Sequence, residues 1–170
     1  KKNKIKSLIF GISGQDGSYL AIFYLVKKMK SKALPEITVK KIQKSARLGV
    51  LNKAKIIKCD IENFLTVKKL IKKIKPHKIY YLCGQSSVKK SYINPAEAFK
   101  SNTLGLLNIL ETVKKTNKKI KVFNAVSGQF YGNRTNNVYN EKSYIEPQSP
   151  YGVSKADGER RVGKECRSRW

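Results

Sequence analysis

The chain has 170 residues, 40% of them hydrophobic, and carries 37 Lys and Arg against 11 Asp and Glu, a formal charge of +26 at pH 7. That length and apolar content suffice for one domain with a buried core and argue against a disordered tail. No apolar run approaches the roughly 20 residues needed to span a bilayer, and the Lys-rich start leads into a strand pattern without a small-residue cleavage site; Cys59, Cys83 and Cys166 are odd in number and form no C-x-x-C pair, so no disulfide framework or zinc site is indicated and a reducing cytoplasm is the expected setting.

So basic a chain invites a nucleic-acid reading, because Lys and Arg that neutralise phosphates dominate such binding. The charge, however, is spread along the whole sequence, and Lys supplies 31 of the 37 basic residues. That dispersal reads as a solvated basic surface, with no nucleic-acid motif to support a specific partner.

Strand-length apolar runs alternate with longer helical patterns along the chain. Ile5 to Phe10 predicts a first strand, Asp16 to Lys30 a helix, Ile37 to Gln43 a second strand and Lys55 to Lys58 a third. From Asn63 to Ile74 the apolar residues Val67, Leu70, Ile71 and Ile74 form a helical stripe that Pro76 stops before a fourth strand, Lys78 to Cys83. Asn94 followed by Pro95 supplies a cap and a first-turn proline for a long helix reaching about Lys115. Lys119 to Val126 predicts strand five, residues 133–150 a loop, and a further helix starts near Tyr151. Five strands joined by helical crossovers predict an α/β fold, a Rossmann-like, doubly wound parallel sheet, with residues 1–156 as the dinucleotide-binding domain.

"SLIFGISGQDGSYLA" places Gly11, Gly14 and Gly17 three apart directly behind strand one. At such a junction one glycine permits the tight turn, a second lets a pyrophosphate approach the backbone, and a third lets the next helix pack closely with its N-terminus facing the phosphates. The acid that usually holds the ribose hydroxyls of NAD at the end of strand two is missing from "ITVKKIQKSARLG", whereas Lys44 and Arg47 could meet a 2'-phosphate; the expected cofactor is therefore NADP. Asp60, in "KCDIEN", either serves as a helix N-cap or, by resemblance to the short-chain dehydrogenase/reductase superfamily, stands against an adenine ring.

In "SPYGVSK" Tyr151 and Lys155 are four apart, which on a helix puts both on one face, where the ammonium can favour the phenolate and make the tyrosine a usable general base. With 9 Tyr and 31 Lys in 170 residues, about 1.6 such pairs arise by chance, and a second one is Tyr24 with Lys28. Context separates them. Tyr151 follows a Pro-containing loop and lies 24 residues after Ser127, which is expected at the end of strand five and could hydrogen-bond the reacting hydroxyl. The C-terminal ends of strands one, four and five converge on the crevice of a doubly wound sheet, so Gly11, the "CGQSS" of Cys83 to Ser87, and Ser127 meet there by topology.

"GISGQDGSYLA", "KPHKIYYLCGQSSVKKSY", "NTLGLLNILE" and "SPYGVSK" together resemble the GDP-mannose 4,6-dehydratase family of the extended short-chain dehydrogenase/reductase superfamily, over about Ile5 to Ala156. The resemblance implies a lyase of nucleotide-sugar metabolism that binds NADP, takes GDP-mannose or a related nucleotide sugar, and forms homo-oligomers at full length. It assigns Gln15, Asp16, Leu82 and Gln85 to the cofactor beside the three glycines, and Ser86 and Ser87 to the substrate. Ser127 would position the sugar hydroxyl, Tyr151 would take the C4 hydroxyl proton as hydride leaves C4, and Lys155 would assist it and hold the ribose. A carboxylate would then remove the C5 proton, water would leave from C6, and hydride would return there.

Two departures stand out. "AVSGQFYG" has Gln129 where the family places Glu, and an amide cannot cycle a proton. The family's chains are about twice as long, their C-terminal half building the sugar pocket, whereas this chain closes on "ADGERRVGKECRSRW", with four of its six arginines in the last eleven residues and no apolar stripe. Residues 157–170 are therefore expected to form an atypical basic tail, from a truncated or frame-shifted end before the substrate domain. Three functions compete: the cofactor portion of a nucleotide-sugar dehydratase, a catalytically silent dinucleotide-binding fragment or a related epimerase or reductase, and a basic nucleic-acid binder. His77, the lone histidine, is expected at the surface.

Overall fold

A computed structural model of the chain describes residues 5–29, 36–39, 55–132, 138–140 and 142–167. It divides into two compact units, one of residues 1–83 with 108–125 and one of residues 84–107 with 126–170.

The first unit is built on a five-stranded sheet of order β3-β2-β1-β4-β5: β1 (Ser7–Phe10), β2 (Glu36–Val39), β3 (Lys55–Lys58), β4 (Lys78–Tyr81) and β5 (Lys121–Asn124). Every pairing is parallel, and Ile9 lies in register with Ile37 on one side and Tyr80 on the other. All four residues of β1 are buried, as a central parallel strand covered on both faces requires. Helix α1 (Gln15–Met29) lays Ala21 against Ile9 and Ile12, and its Tyr24 hydroxyl pairs with that of Tyr80 on β4. This second member of the two Tyr-Lys pairs is thus a packing residue on the sheet.

Helix α2 (Phe64–Ile74) follows its sequence signals closely. Asn63 caps it by accepting the Thr66 N–H at 3.0 Å, and Val67, Leu70, Ile71 and Ile74 are all buried, each such aliphatic side chain stabilising the fold by about 2 kcal/mol. The helix ends where Lys75 turns left-handed (φ 50°) ahead of Pro76. From helix α5 (Gly105–Thr116), Asn108 donates its side-chain amide to the carbonyls of Ile61 and Glu62 at 2.9 and 3.1 Å, satisfying the turn that leads into α2. Strand five is shorter than its apolar run, because Asn117 folds the preceding residues into a turn by accepting the Lys119 N–H on its side chain and the Ile120 N–H on its carbonyl.

The second unit is helical. Ser87 caps α3 (Val88–Ile93), a short helix absent from the sequence reading, and Asn94 caps α4 (Pro95–Phe99) by accepting the Glu97 N–H, with Pro95 in the first turn as expected. The long helix anticipated from Asn94 is interrupted by a π-helical turn, Lys100–Leu104, before α5 begins. At this turn the Ser101 hydroxyl donates to the Glu97 carbonyl at 2.7 Å and accepts the Gln85 N–H at 3.0 Å. Such insertions shift the side-chain register by about one residue. A 3₁₀ turn (Gly128–Tyr131) and helix α6 (Pro150–Arg167) complete the unit, and α6 passes Ala156 without a break.

Candidate functional site

Two groups of candidate residues follow from this architecture. In the sheet unit, the β1–α1 junction is shaped by its glycines. Gly11 has φ +90°, and a Cβ there would stand 2.5 Å from the Leu82 carbonyl oxygen and 2.6 Å from the Cys83 nitrogen. Only glycine tolerates both the conformation and the approach. A Cβ on Gly17 would overlap the Gly11 carbonyl, so the first turn of α1 sits directly on the loop. Gly14 differs from both. It is exposed, and a Cβ there would meet only the Gly11 carbonyl oxygen, at 3.3 Å. The junction is thus closed on its inner side and open at Gly14, next to the first N–H groups of α1, where a helix offers donors and partial positive charge to an anion.

Gln15 opens α1, its carbonyl accepting the Ser18 hydroxyl at 2.7 Å, and Asp16 is exposed in the first turn. Leu82 donates its N–H to Phe10 at 2.9 Å, which places its carbonyl against Gly11. Asp60 is exposed after β3 and accepts the Glu62 N–H at 3.1 Å. The capping role weighed for it belongs to Asn63. Lys44 and Arg47 lie outside the described residues. Beside this site, burial first and the Asp60 carboxylate second push the Cys59 thiol up to about 11. Burial and the bond to Tyr24 push Tyr80 up to about 12. Burial, followed by Cys83, holds Tyr81 well above the usual phenol range.

In the helical unit, Tyr151 and Lys155 lie one turn apart on α6, with the lysine Nζ 5.9 Å from the ring centroid. Tyr151 is buried, and its N–H donates to the Ser91 hydroxyl at 3.1 Å, which itself donates to the Val88 carbonyl. Ser127 does not end strand five, which stops three residues earlier at Asn124. It stands in extended backbone and caps the 3₁₀ turn, accepting the Gln129 N–H at 3.3 Å. Gln129 is exposed on that turn. Its carbonyl would lie 2.7 Å from a Cβ on Gly152, so the turn carrying Ser127 and Gln129 is pressed against the start of the helix carrying Tyr151. Ser86 is exposed, whereas Ser87 is occupied as the cap of α3 and accepts the Gln85 side-chain amide on its carbonyl at 2.6 Å.

Sequence reasoning missed what holds these pieces. Asn102, 2% exposed in the π turn, donates its amide to the Gln85 carbonyl at 3.0 Å and to the Ser154 hydroxyl at 3.1 Å, and Thr103 donates to the Ser154 carbonyl. Ser154 in turn donates to the Tyr151 carbonyl at 2.8 Å. The loop bearing Gln85 is thereby tied to α6. The available signal is the polar run Lys100-Ser101-Asn102-Thr103 ahead of Gly105. Among the described residues, no cluster of His, Cys, Asp and Glu could hold a metal ion, and no helix is long and apolar enough to cross a membrane.

Residues 8–167 match the model of the family described as GDP-mannose 4,6 dehydratase. The chain is similar to the human GDP-mannose 4,6 dehydratase, 30% identical over 88% of this chain and 42% of the relative. Similarity to the Vibrio cholerae GDP-mannose 4,6-dehydratase is 30% over 90% of this chain and 43% of that protein. The crystal structure of Thermus thermophilus UDP-glucose 4-epimerase complexed with NAD superposes with a TM-score of 0.79 at 24% identity, covering 96% of this chain and 51% of the other, a likeness of fold. The chain thus spans about two-fifths of the relatives' length and half that of the solved structure.

Proposed function

We propose that this chain, which belongs to the GDP-mannose 4,6-dehydratase family, is the dinucleotide-binding portion of a cytoplasmic, NADP-dependent dehydratase that converts GDP-mannose to its 4-keto-6-deoxy product. The observation that carries the reading is the glycine junction, closed by Gly11 and Gly17 and open at Gly14 beside the N-terminus of α1. That cradle fits a pyrophosphate, and the NAD held by the Thermus epimerase supports a dinucleotide at such a fold. Lys44 and Arg47 are the groups assigned to a 2'-phosphate. When bound, the nicotinamide would accept and return a hydride.

The chain's own residues would do the rest. Tyr151 would accept the sugar hydroxyl proton, Lys155 on the same face would favour the phenolate, and Ser127 would orient the hydroxyl. Asn102 acts through other groups, fixing the Gln85 loop and, by way of Ser154, the backbone at Tyr151. Gln129 stands where the C5 base belongs and cannot hold or release a proton. That residue favours a second reading, a dinucleotide-binding chain without dehydratase turnover.

The test is product detection with GDP-mannose in four forms: the 170-residue chain and the same chain joined to a relative's C-terminal half, each with Gln129 or Gln129→Glu. The short forms should be inactive. In the extended form, Gln129→Glu should raise product formation by roughly 10²- to 10⁴-fold, the usual worth of general acid-base assistance. Equal turnover of the two extended forms would show that another group serves as the C5 base, and turnover by the short Gln129 chain would overturn the reading as a cofactor portion.

A further inference from the structure

Lysines that are dispersed along the sequence are gathered in space at one edge of the sheet unit. β1, β4 and β5 begin there side by side: the Lys6 carbonyl accepts the N–H groups of His77 and Lys78 at 2.9 and 3.3 Å, and the Lys121 N–H donates to the His77 carbonyl at 3.0 Å. Helix α2 ends at the same edge with Lys72, Lys73 and Lys75, and Lys118 and Lys119 occupy the turn into β5; all five are exposed. Most of the unit's acidic residues lie elsewhere. Among the described side chains of this unit, Asp16, Asp60 and Glu62 follow the opposite ends of β1 and β3, and Glu111 stands 3.2 Å from the Lys115 ammonium. Glu36 opens β2 at the same edge, in register with Leu8, and β1 separates it from β4.

Lysines in the last turn of a helix complement its dipole, but a cluster of this size, on the end of α2 and the turn into β5, repels itself unless anions meet it. Among the described residues of the unit, the exposed aromatic side chains are Tyr19 and Phe23 on α1 and Phe123 within β5, and Ile5 is a single exposed aliphatic beside Lys6, so these residues offer the edge neither a cluster of rings for stacking single-stranded bases nor an apolar cluster to enter lipid. We propose that this lysine edge binds the phosphate backbone of double-stranded nucleic acid without reading its sequence. It lies at the end of the strands opposite the glycine junction and does not depend on the dehydratase reading.

The test compares duplexes of about 20 base pairs and two unrelated sequences by fluorescence anisotropy, across about 50 to 300 mM salt. Four forms of the chain are measured: unsubstituted; Lys72→Gln, Lys73→Gln, Lys118→Gln and Lys119→Gln together; the same four positions changed to Arg; and Lys89→Gln, Lys90→Gln, Lys100→Gln and Lys142→Gln together, which removes equal charge from exposed positions of the helical unit. The edge Gln set should weaken binding at least about tenfold and reduce the slope of log affinity against log salt by about 3 to 4. The Arg set should bind as the unsubstituted chain does, and the helical-unit set should stay within about twofold. Equal loss in the two Gln sets, loss in the Arg set, preference for one sequence, displacement of the duplex by NADPH, or tighter edge-dependent binding to phosphatidylserine-phosphatidylcholine vesicles would each overturn the proposal.

Discussion

Gly152 sits against the backbone carbonyl of Gln129 so closely that a methyl group on it would stand 2.7 Å from that oxygen, with the Pro147 Cβ and the Ser149 hydroxyl 3.2 and 3.3 Å away. Backbone lies on the near side, so the contact cannot be relieved by turning a flexible side chain. Gly152→Ala is therefore expected to destabilise the helical unit by about 1 to 3 kcal/mol, the usual cost of overpacking. Urea unfolding followed by circular dichroism measures it, and an unchanged midpoint would show that the 3₁₀ turn yields freely.

Asn102 should behave as one end of a coupled pair. Asn102→Ala removes both amide donors and leaves the Gln85 carbonyl and the Ser154 hydroxyl short of a partner in a buried setting, costing about 1 to 3 kcal/mol. Ser154→Ala removes the shared contact from the other side. The double variant should cost less than the sum by about 0.5 kcal/mol or more. Strict additivity in the same unfolding assay would mean that the two residues act independently.

Much of the fold was legible because local signals and tertiary packing agree. The α2 stripe, its Asn63 start and its end before Pro76 are written in residue type and spacing, and the glycines mark the β1–α1 junction. Other features depend on distant partners. The π turn at Lys100–Leu104 forms where Ser101 and Asn102 meet the Gln85 backbone, a contact across 16 and 17 residues that helical periodicity cannot express. Ala125 and Val126 extend the apolar run and so predict Ser127 as a strand end, yet the ladder finishes with the Ala125 N–H bonded to the Tyr81 carbonyl. Charge shows the same limit: lysines scattered in sequence share an edge only because parallel strands all start on the same side.

Stability should fall in alkali through Cys59. Its thiol is raised from 9.0 to about 11 in the folded chain, mainly by burial. Below about pH 9 the thiol is neutral in both states and its contribution is complete. Between about 9 and 11 the unfolded chain sheds the proton first, and up to about 3 kcal/mol is lost. Tyr80, raised to about 12, extends the decline to higher pH. Cys59→Ala should flatten the profile between pH 9 and 11, and an unchanged slope there would assign the loss to other groups.

Cofactor preference should favour the phosphorylated dinucleotide. NADPH is expected to bind at least about tenfold more tightly than NADH, the worth of a single charge-assisted hydrogen bond. Replacing Lys44 and Arg47 together by alanine should abolish the difference by weakening NADPH alone. Equal affinities in the unsubstituted chain would refute the roles given to these two residues.

The most direct test of the account is fluorescence titration of NADPH into the 170-residue chain and into its Gly14→Asp variant. Gly14 is the informative position, because a side chain there projects from the open part of the junction and leaves the tight contacts of Gly11 and Gly17 intact. An aspartate would place a negative charge where the pyrophosphate is assigned, at the N-terminus of α1. The account predicts saturable binding by the unsubstituted chain and at least about tenfold weaker binding by a variant with the same circular dichroism spectrum. Absence of binding by the unsubstituted chain, or equal affinity in the two, would contradict the assignment of a dinucleotide to this junction.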